Sequence, residues 1–148
     1  MKDQTVMDMV TEFALAMEQP LGQPIFRDFH RMERGELTRA DLNKLYSVDQ
    51  AERAYALIEM RLKLIHEEMD EFVNAPDFPN AIKELADLVY VIYGFAATFG
   101  IDLDLAVRRV HASNMSKLGD DVKPIKREDG KVLKSHNYKP PVMDDLCE

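Results

Sequence analysis

Leu64-Ile65-His66-Glu67-Glu68-Met69-Asp70-Glu71-Phe72 is followed, thirteen residues after Glu71, by Glu84-Leu85-Ala86-Asp87-Leu88. The pattern is E-E-x-x-E, a gap, then E-x-x-D, and both halves lie in apolar sequence of helical period. Residues three apart share a helix face, so Glu68 pairs with Glu71 and Glu84 with Asp87. At about 100° per residue, Glu68 falls inside the apolar arc formed by Leu57, Leu64 and Phe72, with Glu67 and Glu71 at its edge. A solvated acidic face would lie opposite that arc. From Leu85 to Ile101 the only charged residue is Asp87, and a helix apolar all round is a buried one. Glu84 and Asp87 are therefore expected to point inward. Buried carboxylates neutralise, pair with cations or bind metal. The bases nearby, Arg61, Lys63 and Lys83, are too few to pair five acids. Oxygen-only donors suit a hard cation, Mg²⁺ or Mn²⁺.

Between the two halves, Asn74-Ala75-Pro76-Asp77-Phe78-Pro79 breaks the helix with two prolines. The spacing predicts a helix from Ser47 or Asp49 to about Asn74, with Ser47 and Gln50 as a capping box. A second helix is expected from about Asn80 to Phe99, ended by Gly100. A short loop between long helices makes them antiparallel neighbours, which lets Glu68/Glu71 face Glu84/Asp87. The expected fold is therefore all-α, a helical bundle built on an antiparallel hairpin.

Outside the hairpin, apolar residues at 6, 9, 10, 13, 14 and 17 predict an N-terminal helix. Gln19-Pro20-Leu21-Gly22-Gln23-Pro24 stops it. A short helix is expected over 25–33 and another, capped by Thr38 with Asp41 three residues on, through Tyr46. His30 reads as a surface or packing residue. A helix from Asp102 to Lys117 follows, and beyond Gly119 the sequence loses periodicity. Residues 122–133 suggest a small hairpin in which Asp129-Gly130 favours a type I′ turn. One domain spans 1–148, with a core at 49–118 and an irregular C-terminal tail at 119–148.

The 148 residues carry a net charge of −8, which argues against a nucleic-acid polymer as partner. Residues 117–139 hold seven Lys/Arg against four acids, and the remainder 12 basic against 23 acidic residues. An acidic body with a basic tail can accept a small anion once metal offsets the body's charge. Cys147 is the lone cysteine, so neither an internal disulfide nor a cysteine-based zinc site is available. Lys2-Asp3-Gln4 leads straight into an amphipathic helix, with no signal-peptide pattern, and no apolar run spans a bilayer. A cytoplasmic protein is expected, without a membrane partner.

The carboxylate pattern at Glu67, Glu68, Glu71, Glu84 and Asp87 resembles that of the all-α nucleoside triphosphate pyrophosphohydrolases, the MazG-like and phosphoribosyl-ATP pyrophosphohydrolase-like superfamily. The likeness continues through His111-Ala112-Ser113-Asn114-Met115-Ser116-Lys117 and into Lys126-Arg127-Glu128-Asp129-Gly130-Lys131-Val132 and Asn137-Tyr138-Lys139-Pro140-Pro141. It covers roughly 49–141 and is strongest over 64–117. The resemblance implies Mg²⁺-dependent cleavage of a nucleoside triphosphate between the α and β phosphates, to a monophosphate and pyrophosphate. It implies metal at Glu68, Glu71, Glu84 and Asp87, with Glu67 holding a further metal or orienting water. Asn114, Lys117, Lys126 and Arg127 would contact substrate, with Arg108 and Arg109 as further phosphate candidates.

A nucleotide-pool-cleaning role is the first expectation, a phosphoribosyl-ATP hydrolase of histidine synthesis the second, and a non-catalytic helical interaction protein the third. A di-iron bundle would need E-x-x-H, and none of the histidines at 30, 66, 111 and 136 has a glutamate three residues before it. The apolar hairpin exceeds what the other helices can cover, so a homodimer or homotetramer is expected, with residues 85–99 near the interface.

Overall fold

The computed structural model describes residues 3–147; Met1, Lys2 and Glu148, and with them part of the Lys2-Asp3-Gln4 reading, lie outside the described residues. The helices are α1 (Val6–Ala16), α2 (Ile25–Glu33), α3 (Arg39–Leu45), α4 (Val48–Val73), α5 (Phe78–Thr98) and α6 (Leu103–Met115). A two-stranded ribbon, β1 (Ile125–Lys126) and β2 (Val132–Leu133), and a 3₁₀ turn at Asp144–Cys147 complete the described elements. The all-α class stands. Among the described residues no single helix is long and apolar enough to cross a membrane. The chain divides into two compact units, residues 1–101 and 102–148, so α6 groups with the tail.

In the first unit α4 and α5 form the expected antiparallel hairpin, α1 packs on α5, and α2 packs on α4 and α3. Local chemistry sets the helix starts. Thr5 and Asp8, Thr38 and Asp41, and Ser47 and Gln50 form reciprocal capping boxes, each satisfying amides that a helix N-terminus leaves orphaned. The fifth helix begins two residues earlier than the sequence suggests. Asp77 caps it by accepting from the Asn80 amide at 2.9 Å, and Pro79 sits in the first turn, where a missing N–H costs nothing.

Val10, Ala14, Ile25, Leu42, Leu88, Ala96, Ala97 and Phe99 make the core, with Phe26, Phe95 and Phe99 in mutual ring contact. Asp28 is buried beside them, flanked by Arg27 and Arg31 and accepting from the Tyr46 hydroxyl at 2.5 Å. Burial, then that hydrogen bond, pushes Tyr46 up to about 12. His30 packs edge-on against Phe26 and lies 3.1 Å from Glu33, a packing residue as read from sequence.

The loop after α1 is fastened to the end of α5. Gly22 and Gln23 donate to the carbonyls of Ala97 and Thr98 at 3.0 and 2.7 Å, filling acceptors that a helix C-terminus leaves open. Glu18 takes a left-handed conformation (φ 52°) at the end of α1, and the following Gln19 amide returns to Ala14 O. This is a Schellman-type ending, with glutamate where glycine is usual.

The fifth helix departs from the expectation of burial all round. Phe78, Ile82, Leu85, Val89 and Ile92, spaced four and three apart, form an apolar stripe left open in the single chain. The buried side is Leu88, Gly94 and Ala96–Phe99. The small ribbon also departs from expectation. Ile125 pairs with Leu133 and Lys126 with Val132, Gly130 N returns to Arg127 O, and Arg127 N meets Lys131 O. Gly130 has φ 84° while Asp129 stays at negative φ. A type I′ turn needs both central residues positive, so the loop is instead a longer one with a left-handed glycine at its end.

Candidate metal and phosphate site

The hairpin register places α4 and α5 carboxylates side by side. One oxygen each from Glu68, Glu71 and Glu84 lie within 4.8 Å of one another. Glu68 is half-buried, and its Oε2 is shielded from water with no hydrogen-bond partner among the described residues. Burial first, then repulsion from Glu71, Asp87 and Glu84, pushes its carboxyl above the ordinary value. An orphaned buried oxygen among three close acids is costly alone. An all-oxygen donor set of this kind fits a hard divalent cation.

Asp87 is close enough to act on Glu68, but its own carboxylate is turned to Lys83. The Lys83 ammonium donates to Asp87 Oδ2 at 2.8 Å and to both oxygens of Glu84 at 3.0 and 3.1 Å. Hydrogen bonding to Asp87 and then to Glu84 raises the lysine's own pKa. One base thus serves two acids, which a count of charges along the sequence does not reveal. Glu67 is exposed, outside the three-carboxylate group, and 3.8 Å from Lys63.

The remaining sequence candidates belong to the second unit. Asn114 is exposed in the last turn of α6, and the Lys117 ammonium just beyond donates to its Oδ1 at 2.9 Å. Lys126 is exposed on β1. Arg127 is engaged by Asp129, its Nε bonding at 2.9 Å. Arg109 is engaged within its unit, its guanidinium bonding Val142 O at 2.9 Å and Asp145 Oδ2 at 2.7 Å, while Arg108 Nε meets Asp104 O. The tail is not loose within its unit. Ser113 Oγ donates to Lys139 O at 2.7 Å, Lys139 N to Ser116 Oγ at 2.9 Å, and Ser135 Oγ to Leu118 O at 2.7 Å.

A cavity of about 750 Å³ in the first unit lies between α2, α3 and α4 and is lined by none of Glu67, Glu68, Glu71, Glu84 and Asp87. Donor chemistry, not cavity size, marks the site.

Residues 26–114, more than half the chain, match the family model described as phosphoribosyl-ATP pyrophosphohydrolase. The chain belongs to that family. It is thereby a member of the MazG-like all-α nucleoside triphosphate pyrophosphohydrolase superfamily, whose chemistry is hydrolysis of a phosphoric anhydride. The family match begins at Phe26, well before the carboxylate pattern, and ends at Asn114, short of Lys117 and the tail. No curated protein matches the chain. MazG-like pyrophosphohydrolases generally use divalent metals, in keeping with the acidic cluster.

Proposed function

We propose that this protein hydrolyses a nucleoside triphosphate between the α and β phosphates, releasing a nucleoside monophosphate and pyrophosphate, and that it serves to clean the nucleotide pool. The observation that carries this reading is the convergence of Glu68, Glu71 and Glu84 around an orphaned buried oxygen. In this reading these three carboxylates hold Mg²⁺ or Mn²⁺, and Asp87 joins them once it is released from Lys83. Glu68, Glu71 and Glu84 would hold an ion that, when bound, would supply positive charge against the phosphates and acidify water. Glu67, exposed and clear of the cluster, orients the attacking water and takes its proton. Attack at phosphorus forms one P–O bond and breaks the bridging one, with little covalent work left for the protein. Asn114, Lys117, Lys126 and Arg127 contact the substrate, the cations balancing charge that the metal leaves. The open stripe Phe78–Ile92 on α5 supports a second copy as its cover, in a homodimer or homotetramer in the cytoplasm.

The family match favours a second substrate equally, phosphoribosyl-ATP. The test is a screen of common and modified triphosphates, and of phosphoribosyl-ATP, for pyrophosphate release in Mg²⁺ and in EDTA. Mg²⁺-dependent release from triphosphates supports the first reading, and release from phosphoribosyl-ATP alone supports the second. No release from any, with no thermal stabilisation by Mg²⁺, would leave a non-catalytic interaction protein.

A further inference from the structure

Phe13 is 42% exposed, although Val10 and Ala14 beside it on α1 are buried. It meets Tyr90 edge-on, with ring centroids 5.9 Å apart and planes at 79°. In an edge-on pair each ring keeps at least one face clear of the other. Met9 and Met17, four residues to either side, are exposed as well, so α1 carries an open stripe with one aromatic ring at its centre. A lone exposed apolar residue calls for no explanation. This one differs in what it stands beside.

Phe13, Leu64 and Tyr90 line one narrow cleft between α1, α4 and α5. Leu64 precedes Glu68 and Glu71 by four and seven residues, and Tyr90 follows Asp87 and Lys83 by three and seven. Those spacings keep each set on one helix face. The first helix therefore lies on the side of the hairpin to which Glu68, Glu71 and Asp87 belong. Leu64 and Tyr90 each stand about one turn along the seam from an acid, roughly 5 Å, and Phe13 is one ring spacing further, 5.9 Å. Acids and ring are thus on the order of 10 Å apart. The cleft itself holds about 110 Å³, and inside it Arg61 and Gln19 are joined to each other at 3.1 Å. It is too small to admit a base, so the Phe13 ring is reached over the surface.

The ribose and base of a nucleotide span a distance of this order beyond its α-phosphate. We propose that Phe13, backed by Tyr90, is a stacking platform for the nucleobase of the substrate. Stacking uses a π face that every base has and is indifferent to the groups on the base edge. The substrate class is accordingly broad: purine and pyrimidine triphosphates, with ordinary or altered edges, held by phosphate at one end and a ring face at the other. Met9 and Met17 suit that breadth, since methionine adapts its shape to what it packs against. A base fits the stripe better than a second copy of the chain does. Three side chains on one short helix fall well short of the roughly 800 Å² per partner that a stable pair buries, whereas one ring face matches one base. This inference rests on the reading of the carboxylates as the phosphate end.

The chain contains no tryptophan, so Phe13→Trp keeps the platform and makes it the sole indole. The experiment reads the emission of Phe13→Trp in Mg²⁺ against AMP, UMP and ribose 5-phosphate. It also compares kcat/KM for ATP, GTP, CTP and UTP in the native protein, Phe13→Trp and Phe13→Ala, with calorimetric binding of tripolyphosphate as the control that has phosphates and no base. Quenching by AMP and UMP but not by ribose 5-phosphate is expected. Phe13→Ala should lower kcat/KM about tenfold or more for all four triphosphates, the usual scale of one base–ring stack, with tripolyphosphate binding unchanged and Phe13→Trp turning over like the native protein. Unchanged emission together with native turnover in Phe13→Ala overturns the inference and leaves the pyrophosphohydrolase reading intact. Weakened tripolyphosphate binding in Phe13→Ala also overturns it, since a merely structural Phe13 acts that way. A preference above about a hundredfold among the four triphosphates overturns it too, being the scale at which hydrogen bonding to the base edge selects. Emission that follows protein concentration and not nucleotide gives the stripe to a second copy and overturns the inference. Quenching by nucleotides without cleavage of any triphosphate supports the platform and overturns the reaction. If Phe13→Ala does not fold, Phe13→Leu, which keeps bulk without a π face, carries the same comparison.

Discussion

Replacing Glu68 by glutamine should make the metal-free protein more stable and abolish its response to Mg²⁺. The carboxylate has two acidic neighbours within 4.8 Å. At that separation two unit charges repel by about 1 kcal/mol in bulk water and roughly 3.5 kcal/mol at an effective dielectric of 20. Glu68 is half-buried, so each repulsion lies between these limits, and attraction to Lys83 offsets part of the sum. Relief of about 2 kcal/mol follows, or a rise in Tm of about 4–8 °C for a chain of this size. The sign with pH is fixed too. Burial and repulsion raise the folded-state pKa of Glu68 above its unfolded value, so the folded state holds the proton over a window in which the unfolded state has lost it. The Glu68 contribution to stability is present below the ordinary carboxylate range and lost as pH rises through the raised pKa. Lowering the pH from neutral into that window in EDTA should narrow the gap between native protein and Glu68→Gln. The assay is thermal unfolding of both proteins in EDTA and in millimolar Mg²⁺ at several pH values. A Glu68→Gln protein that melts earlier in EDTA, or gains as much from Mg²⁺ as the native one, would refute the argument.

Other outcomes can be checked alongside. The double variant Glu71→Gln with Asp87→Asn should lose Mg²⁺-dependent pyrophosphate release while remaining helical by circular dichroism; retained activity sinks the assignment. Truncation after Gly119 should lower kcat/KM tens-fold or more, since charge-assisted phosphate contacts are worth about 1.5–3 kcal/mol each, yet leave Mg²⁺ binding by calorimetry intact. Glu18→Gly should raise chemical-denaturation stability by about 0.5–1 kcal/mol, because the left-handed backbone at Glu18 suits glycine; a loss would mean that the side chain does more than occupy the turn. If a second copy covers the open stripe of α5, Val89→Glu should shift the protein in light scattering from the proposed dimer or tetramer to a 17.0 kDa monomer; a native protein already monomeric refutes the cover.

What could be read from the chain was what is decided within a few residues. The caps at Thr38 and Ser47 are local chemistry, and so is the three-residue spacing that put Glu68 beside Glu71. The turn at 74–77 was legible as a break, and antiparallel packing then brought Glu84 across. Local rules also misled where a residue has two uses: Pro79 reads as a breaker but serves in a first turn, and Asp129-Gly130 reads as the centre of a turn but lies at its end. That the hairpin has more apolar surface than its neighbours cover was legible, but not that the open face is Phe78–Ile92 while 96–99 is buried within the chain, because apolar sequence alone does not say which face the same chain covers. Least legible were Lys83 and Arg61. Their partners depend on which way a long side chain swings and on a loop 42 residues away, and helix periodicity records neither.

The position of the Lys83 ammonium across Glu84 and Asp87 makes any cation uptake at this site an exchange. The resident monovalent ion is covalently attached, so its local concentration does not fall on dilution and dialysis does not remove it. A divalent ion therefore binds more weakly than a bare set of acids would hold it, and Lys83→Met should bind Mg²⁺ more tightly. That ammonium offsets one of the two negative charges on Glu84 and Asp87. Any divalent ion that entered would liberate an ammonium on a flexible stem beside the same oxygens.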